Sequence, residues 1–219
     1  MWNLPLSGQK PYRVLEAMCG FADGAEILSS HLNAEIDYAG CDYSDAVVAE
    51  LARSKPNLNI WQADATNWKP ESAKFDIVIL LGGLHHVPGH AAEVVKSMAS
   101  GLKSGGLFIN YEPTHGNPIT RWARERIYDK NSLFDEEIER GFSIGELEAF
   151  LAGANLVPER ILFPGLLFYI LYYNPDAFPF LNLGGEALVK AAFRFDALFM
   201  ENAVGRALSF ATLSVWKKT

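Results

Sequence analysis

Apolar and polar positions along the chain switch between two periods. The run Phe75–Leu81 (FDIVILL) is almost continuously apolar, the pattern of a parallel strand buried on both faces. Shorter apolar runs predict further strands at about Arg13–Ala17, Glu35–Cys41 and Leu58–Gln62 before it, and at Leu107–Tyr111, Leu156–Phe163 and Ala207–Trp216 after it. Helical spacing fills the intervals. A helix is expected over about Gly24–Asn33. A second covers 45–54, with Ser44 as its cap and Val47, Val48 and Leu51 on its apolar face. A third spans about Ala91–Leu102, with Val94, Val95, Met98 and Leu102 aligned. Ser143-Ile144-Gly145-Glu146 has the form of a capping box opening a helix to about Ala152, and an amphipathic helix lies near Glu186–Ala203.

Strands alternating with helices predict an α/β fold with a doubly wound, mostly parallel sheet. Two stretches break the rhythm. Residues 119–141, charged and partly aromatic, read as part of an insertion (116–142) after strand 5. Residues 161–173 (ILFPGLLFYILYY) are uncharged and extend an apolar segment beyond strand 6. That run is shorter than the ~20 apolar residues a membrane span needs, and Pro164-Gly165 interrupts it, so no integral span is expected.

A length of 219 residues suits one domain. The net charge of −7 makes the chain a poor general binder of phosphate backbones, so a nucleic-acid partner is not expected. The first residues, MWNLPLSGQKPYR, do not pair a basic flank with an apolar core, so the expected location is cytoplasmic. Cys19 and Cys41 read as reduced and buried, and no CxxC or HExxH spacing suggests a metal.

The candidate chemistry gathers at predicted strand ends, where ligands of such sheets bind. Residues 13–24 (RVLEAMCGFADG) pass from a strand with a terminal acid, Glu16, into a glycine-containing loop and a helix start. Such a loop brings backbone N–H groups close to a ligand, for which a nucleoside-bearing cofactor is the natural occupant. Asp42 ends strand 2, where a carboxylate can accept from a ribose diol. Asp64 follows strand 3 and can accept from an adenine amino group. Each also reads as a turn or capping aspartate. His85 and His86 follow strand 4, and Glu112 and His115 follow strand 5. All four are candidates to take an acceptor proton, against a reading in which they pack, cap or bond nearby backbone. Tyr111 and Tyr128 can orient an acceptor. Trp122, Arg121, Arg124 and Arg126 form either a lid or a solvated charged helix.

Five segments together, VLEAMCGFADGAEIL, AGCDYS, QADAT, FDIVILLGGLHHVPG and GLKSGGLFINYEP, resemble the class I S-adenosylmethionine-dependent methyltransferases over about residues 13–113. The likeness continues loosely through FSIGELEAFLAGANLV and ALSFATLSVWKK. It implies a single methyltransferase domain over 1–219, on a seven-stranded sheet whose last strand is antiparallel. It also implies a cofactor-binding core over 13–115 and a substrate-side region over 116–206. Glu16, Cys19 and Gly20 are then expected to face the methionine part of the cofactor, Asp42 the ribose hydroxyls and Tyr43 the adenine ring. Asp64 and Ala65 would read the adenine edge, and Leu81 and Gly82 would offer backbone groups near the methionine amine. The family usually has glycine where this chain has Met18 and Ala22, which is expected to narrow the loop and hold its backbone away. The implied activity is methyl transfer to a small or lipophilic acceptor by in-line displacement. A nicotinamide-dependent oxidoreductase is a rival, because Gly20-x-Ala22-x-x-Ala25 is a degenerate dinucleotide fingerprint. A non-catalytic cofactor- or partner-binding protein on the same fold is another. Apolar surface over 161–203 implies a lipophilic acceptor pocket, a second copy of the chain or a membrane surface as its cover.

Overall fold

The computed structural model describes residues 4, 6, 10–32, 34–118, 120–122, 140–169 and 185–219. Its strands are β1 (Tyr12–Ala17), β2 (Ile36–Asp42), β3 (Asn59–Gln62), β4 (Phe75–Leu81), β5 (Leu102–His115), β6 (Phe142–Ser143), β7 (Leu156–Leu162) and β8 (Ala211–Lys218). The helices are α1 (Asp23–His31), α2 (Asp45–Ser54), α3 (Ala91–Ser100), α4 (Ile144–Gly153), α5 (Glu186–Ala197) and α6 (Ala203–Leu208). The sheet runs β3-β2-β1-β4-β5-β8-β7, and the two-residue β6 pairs with the end of β5. β1 to β5 are mutually parallel, and β8 is antiparallel to both its neighbours. This is the mixed, doubly wound sheet that the sequence implies.

Strand alternation sorts the core into two layers. Leu15, Val78, Leu80, Phe108 and Trp216 face α3 and α4, meeting Val94, Met98, Leu147 and Leu151. Val14, Ile77, Ile79, Ile109 and Val215 face α1 and α2, meeting Leu28 and Leu51. Truncating a side chain as enclosed as Leu80 or Phe108 to alanine would cost about 2–5 kcal/mol. Ser44 and Ser143 cap α2 and α4 as expected, accepting from Val47 N and Glu146 N.

β4 and α2 fall on the expected residues. β5 is much longer than expected. It begins at Leu102, opposite Phe75, and regains register at Leu107, opposite Ile77. The irregularity sits where Gly105 takes φ +77°, so Gly105-Gly106 bends a strand that the sequence pattern starts only at Leu107. The expected helix 186–203 stops at Ala197. A new one starts where the Asn202 side chain accepts from Val204 N and Gly205 N, which delays β8 to Ala211.

A buried carboxylate ties the late segments together. Asp196 accepts from the backbone N–H groups of Leu166, Leu167 and Phe168 at 3.1, 2.9 and 2.9 Å. Residues 123–139 and 170–184, which include Arg124, Arg126 and Tyr128, lie outside the described residues.

Candidate functional site

The loop after β1 is held from several directions. Glu16, 2% exposed, accepts from the Tyr38 hydroxyl and from Gly24 N at 3.3 Å. The space for this pair comes from Gly40, which stands directly opposite Glu16 across the β1–β2 register. A Cβ there would lie 3.1 Å from the Tyr38 oxygen. A Cβ on Gly24 would lie 2.5 Å from Glu16 Oε2, so glycine opens the helix at the point of closest approach. Burial pushes the Glu16 carboxyl up to about 7, against the pull of the Tyr38 and Gly24 hydrogen bonds. Burial likewise raises the Cys19 thiol, and lifts that of Cys41 to about 12. Neither cysteine is in a disulfide.

Met18 and Ala22, the two departures from glycine, adopt φ +53° and +58°. The backbone therefore keeps left-handed conformations without glycine, at about 1–2 kcal/mol each. The strain is offset by stitching from afar. Lys55, at the end of α2, donates to the Phe21 carbonyl at 2.7 Å, and Asp42 Oδ2 accepts from Gly20 N at 2.9 Å. The other Asp42 oxygen accepts from Ser44 N at 3.0 Å.

Asp42 sits at the carboxyl end of β2, with Tyr43 exposed beside it. Asp64 is self-contained. Its Oδ1 accepts from Thr66 N and Oγ1 at 2.9 and 2.7 Å, and its Oδ2 accepts from Asn67 Nδ2 at 2.9 Å. The Thr66 bonds hold its carboxyl below the usual range. Ala65 is buried beneath this turn.

At the end of β4, Gly82 takes φ +68°, and its N–H donates to the Tyr111 carbonyl at 2.7 Å. Leu81 beside it is half-buried. His85 lies in a short 3-10 turn over Leu84–His86. Its Nδ1 is 3.0 Å from Oε2 of the fully buried Glu112, whose Oε1 accepts from Leu84 N at 2.8 Å. A carboxylate at Glu112 can only accept, which puts the proton on Nδ1 and leaves Nε2 as the basic nitrogen of His85. The His86 ring lies 4.1 Å from that of His85. His115, at the end of β5, belongs to a separate small cavity with Ser143 and Arg206. The structure thus brings His85, His86 and Glu112 together and sets His115 apart.

A cavity of about 580 Å³ adjoins the loop after β1. Glu16, Met18, Cys19, Gly20, Leu81 and Gly82 line it together with α1 and the strand floor. Among the described residues its lining includes none from 116–206. Sequence reasoning missed Tyr38 and Lys55. A glycine inside strand 2, at position 40, was the available signal for the first, because interior strand glycines mark close approaches. Among the described residues no cluster of His, Cys, Asp and Glu is arranged to hold a metal ion, and no helix is long and apolar enough to cross a membrane.

Residues 14–106 match the family described as a methyltransferase domain. A phthiotriol/phenolphthiotriol dimycocerosates methyltransferase of Mycobacterium ulcerans is 30% identical over 125 residues, 56% of this chain and 44% of that protein. A demethylmenaquinone methyltransferase of Staphylococcus haemolyticus is 30% identical over 103 residues, 46% of this chain and 43% of that one. The matches therefore span less than half the length of those relatives. An S-adenosylmethionine-dependent methyltransferase from Mesorhizobium loti shares the fold with a TM-score of 0.60 at 16% identity, over 98% of this chain and 94% of that one. The [4+2]-cyclase SpnF does so with a TM-score of 0.63 at 15% identity, over 94% and 75%.

Residues 14–106 thus carry a methyltransferase domain, on the fold seen in S-adenosylmethionine-dependent methyltransferases. In that domain the loop after β1 suits a cationic, adenosyl-bearing cofactor. Two acidic side chains, Glu16 and Asp23, line the cavity and would face a cation bound there. A Cβ on Gly20, at φ +48°, would meet no atom within 4 Å, so the loop keeps open space on that side.

Proposed function

We propose that the protein transfers the methyl group of S-adenosylmethionine to a small or lipophilic acceptor by in-line displacement. The observation that carries this reading is the cavity bounded jointly by Glu16, Gly20 and Gly82, with Asp42 bonded to the loop that forms its wall. The relatives whose names specify lipid and quinone acceptors support the acceptor class. The acidic net charge favours a small molecule over nucleic acid, in the cytoplasm.

When bound, the cofactor supplies a methyl carbon already activated by a sulfonium charge. The chain's part is to orient and to exclude water. Asp42 would hold the ribose hydroxyls through the lone pairs its two backbone bonds leave over, and Tyr43 would offer its ring to adenine. Asp64 and Ala65 would read the adenine edge. Glu16 would favour the methionine ammonium, with Cys19 and Gly20 shaping the loop and Leu81 and Gly82 lending backbone groups. Where the acceptor carries a proton, His85 Nε2 takes it. Glu112 orients that ring through its Nδ1, and His86, His115 and Glu112 itself are the alternatives.

The dinucleotide rival loses support from topology. An antiparallel β8 between β5 and β7 departs from the 3-2-1-4-5-6 parallel order of dinucleotide folds. The test is isotope-labelled methyl transfer from S-adenosylmethionine into an extracted lipid and quinol fraction, alongside thermal shifts with S-adenosylhomocysteine and with NAD. Label in the lipid fraction and a shift with S-adenosylhomocysteine are expected. A shift with NAD alone would sink the proposal, and cofactor binding without label transfer would favour the non-catalytic reading.

A further inference from the structure

The cavity beside the cofactor loop continues where a cofactor has no need of it. Its floor is built from two rows of side chains on the α1 face of the sheet. The deep row is Glu16, Ile79 and Ile109, adjacent in register across β1, β4 and β5. The upper row is Leu81, Tyr111 and Leu213, adjacent across β4, β5 and β8. Strands stand about 4.8 Å apart, so the slot runs ~14 Å from Glu16 to Leu213. Positions Ile27, Leu28 and Leu32 of the α1 segment and Leu4 complete the wall.

The slot is chemically polarised. Glu16 and the Gly82 turn mark one end, at the candidate cofactor site. Towards β8 the floor is aliphatic, apart from Tyr111. Three side chains of the upper row are only half-buried, although they lie on the core face of the sheet. Apolar residues in that state, along a cleft that is partly open to solvent, fit an apolar ligand better than water.

We propose that this slot seats the hydrocarbon tail of the acceptor, laid across β4, β5 and β8 beside α1, with the reacting head at the Gly82 end. That the tail belongs to an acceptor rests on the methyltransferase reading; that the slot binds a hydrocarbon does not. It places the tail on the strand floor itself.

The test uses the full chain saturated with S-adenosylhomocysteine. Fluorescence of N-phenyl-1-naphthylamine reports slot occupancy, and straight-chain alcohols of increasing length compete. Each added methylene should tighten binding about fourfold. The gain should stop once the chain exceeds ~10 Å, the width from β4 to β8, because the cofactor already fills the Glu16 end. Leu213→Trp should move that plateau to shorter chains and weaken long alcohols at least tenfold, while S-adenosylhomocysteine affinity stays within twofold. Ile109→Trp should block the slot closer to the head. No fluorophore binding, or affinity indifferent to chain length, would overturn the proposal and assign the slot to the chain's own leading residues around Leu4. The length series on the unaltered protein decides this even where a variant fails to fold. Loss of S-adenosylhomocysteine binding with the series intact would instead count against the methyltransferase reading alone.

Discussion

The loop after β1 and the loop after β3 occupy equivalent places at the carboxyl edge of the sheet, yet they are built in opposite ways. The first is held by distant partners: Tyr38 and Asp42 on β2, and Lys55 beyond α2. The second opens on a turn closed by its own residues, with Asp64 bonded to Thr66 and Asn67, and its far end is tied to the end of α3. A loop stitched from afar takes its shape only when the whole sheet is formed, and its energetics are shared with the fold. A local turn is independent of the fold and can be changed with little effect elsewhere.

The largest test of that contrast is pH. The Glu16 carboxyl rises from 4.5 to about 7 in the folded protein. The native state thus holds a proton that the unfolded chain releases. The associated stability is complete below pH 4.5 and disappears as pH rises through 7, a change of about 3 kcal/mol. Chemical denaturation should show that loss between pH 5 and pH 8, and Glu16→Gln should flatten it. Asp64 has the opposite sign, because its lowered carboxyl contributes in the neutral range and fails only in acid. Cofactor binding should move the other way from apo stability, tightening up to about pH 7 as a cation draws Glu16 into its charged form. An apo stability indifferent to pH over this range would break the comparison.

The next effect is on affinity. Charge-assisted bonds contribute about 1.5–3 kcal/mol each, so Asp42→Ala should weaken S-adenosylmethionine binding by about ten- to a hundred-fold in calorimetry. Asp64→Asn keeps the Oδ1 acceptor for Thr66 and weakens only a contact to the neutral adenine amine, so it should cost less, about 0.5–1.5 kcal/mol. Equal losses would erase the distinction between the two loops.

Much of this architecture is legible in the sequence, and the boundary of legibility is physical. The strand run 75–81 and the capped helix 45–54 fall where the pattern puts them, since periodicity and a cap are local signals. The start of β5 at Leu102 is not visible, because Gly105-Gly106 reads as a terminator until β4 supplies a partner. The acids at the strand ends are visible, but what each touches is not. The Tyr38–Glu16 and Lys55–Phe21 contacts join residues 22 and 34 positions apart, and no periodicity encodes them. The replacements at Met18 and Ala22 show in the sequence. Their left-handed backbone needs the structure.

A smaller test addresses Lys55. Lys55→Met removes the cation beneath the Phe21 carbonyl and a charge that favours ionised Glu16. Cofactor affinity should fall about fivefold, the equivalent of ~1 kcal/mol. The Glu16 midpoint should rise further in a pH series. An unchanged midpoint would remove Lys55 from the stitching.

The smallest effects compare two left-handed alanines. Ala73, in the second loop, is exposed at φ +52°, so Ala73→Gly should add about 1 kcal/mol of stability. Ala22 has the same backbone strain, but its methyl is fully buried. Losing it costs ~0.8 kcal/mol, so Ala22→Gly should leave stability nearly unchanged. Thermal denaturation of the two variants side by side reads the difference.

Asp196 has a consequence for how this protein can change over time. By fastening the turn at 166–168 to the last turn of α5, it brings positions 28 to 30 residues apart to one buried anchor. The chain between them, α5 included, is a loop closed at that point. Lengthening such a loop costs little, since closure entropy grows only with the logarithm of its length. The clasp therefore makes the part of that loop ahead of α5 an exchangeable cassette. Its composition can drift or be swapped while β7, β8 and the site beside them keep their places, provided the carboxylate and its three backbone donors remain.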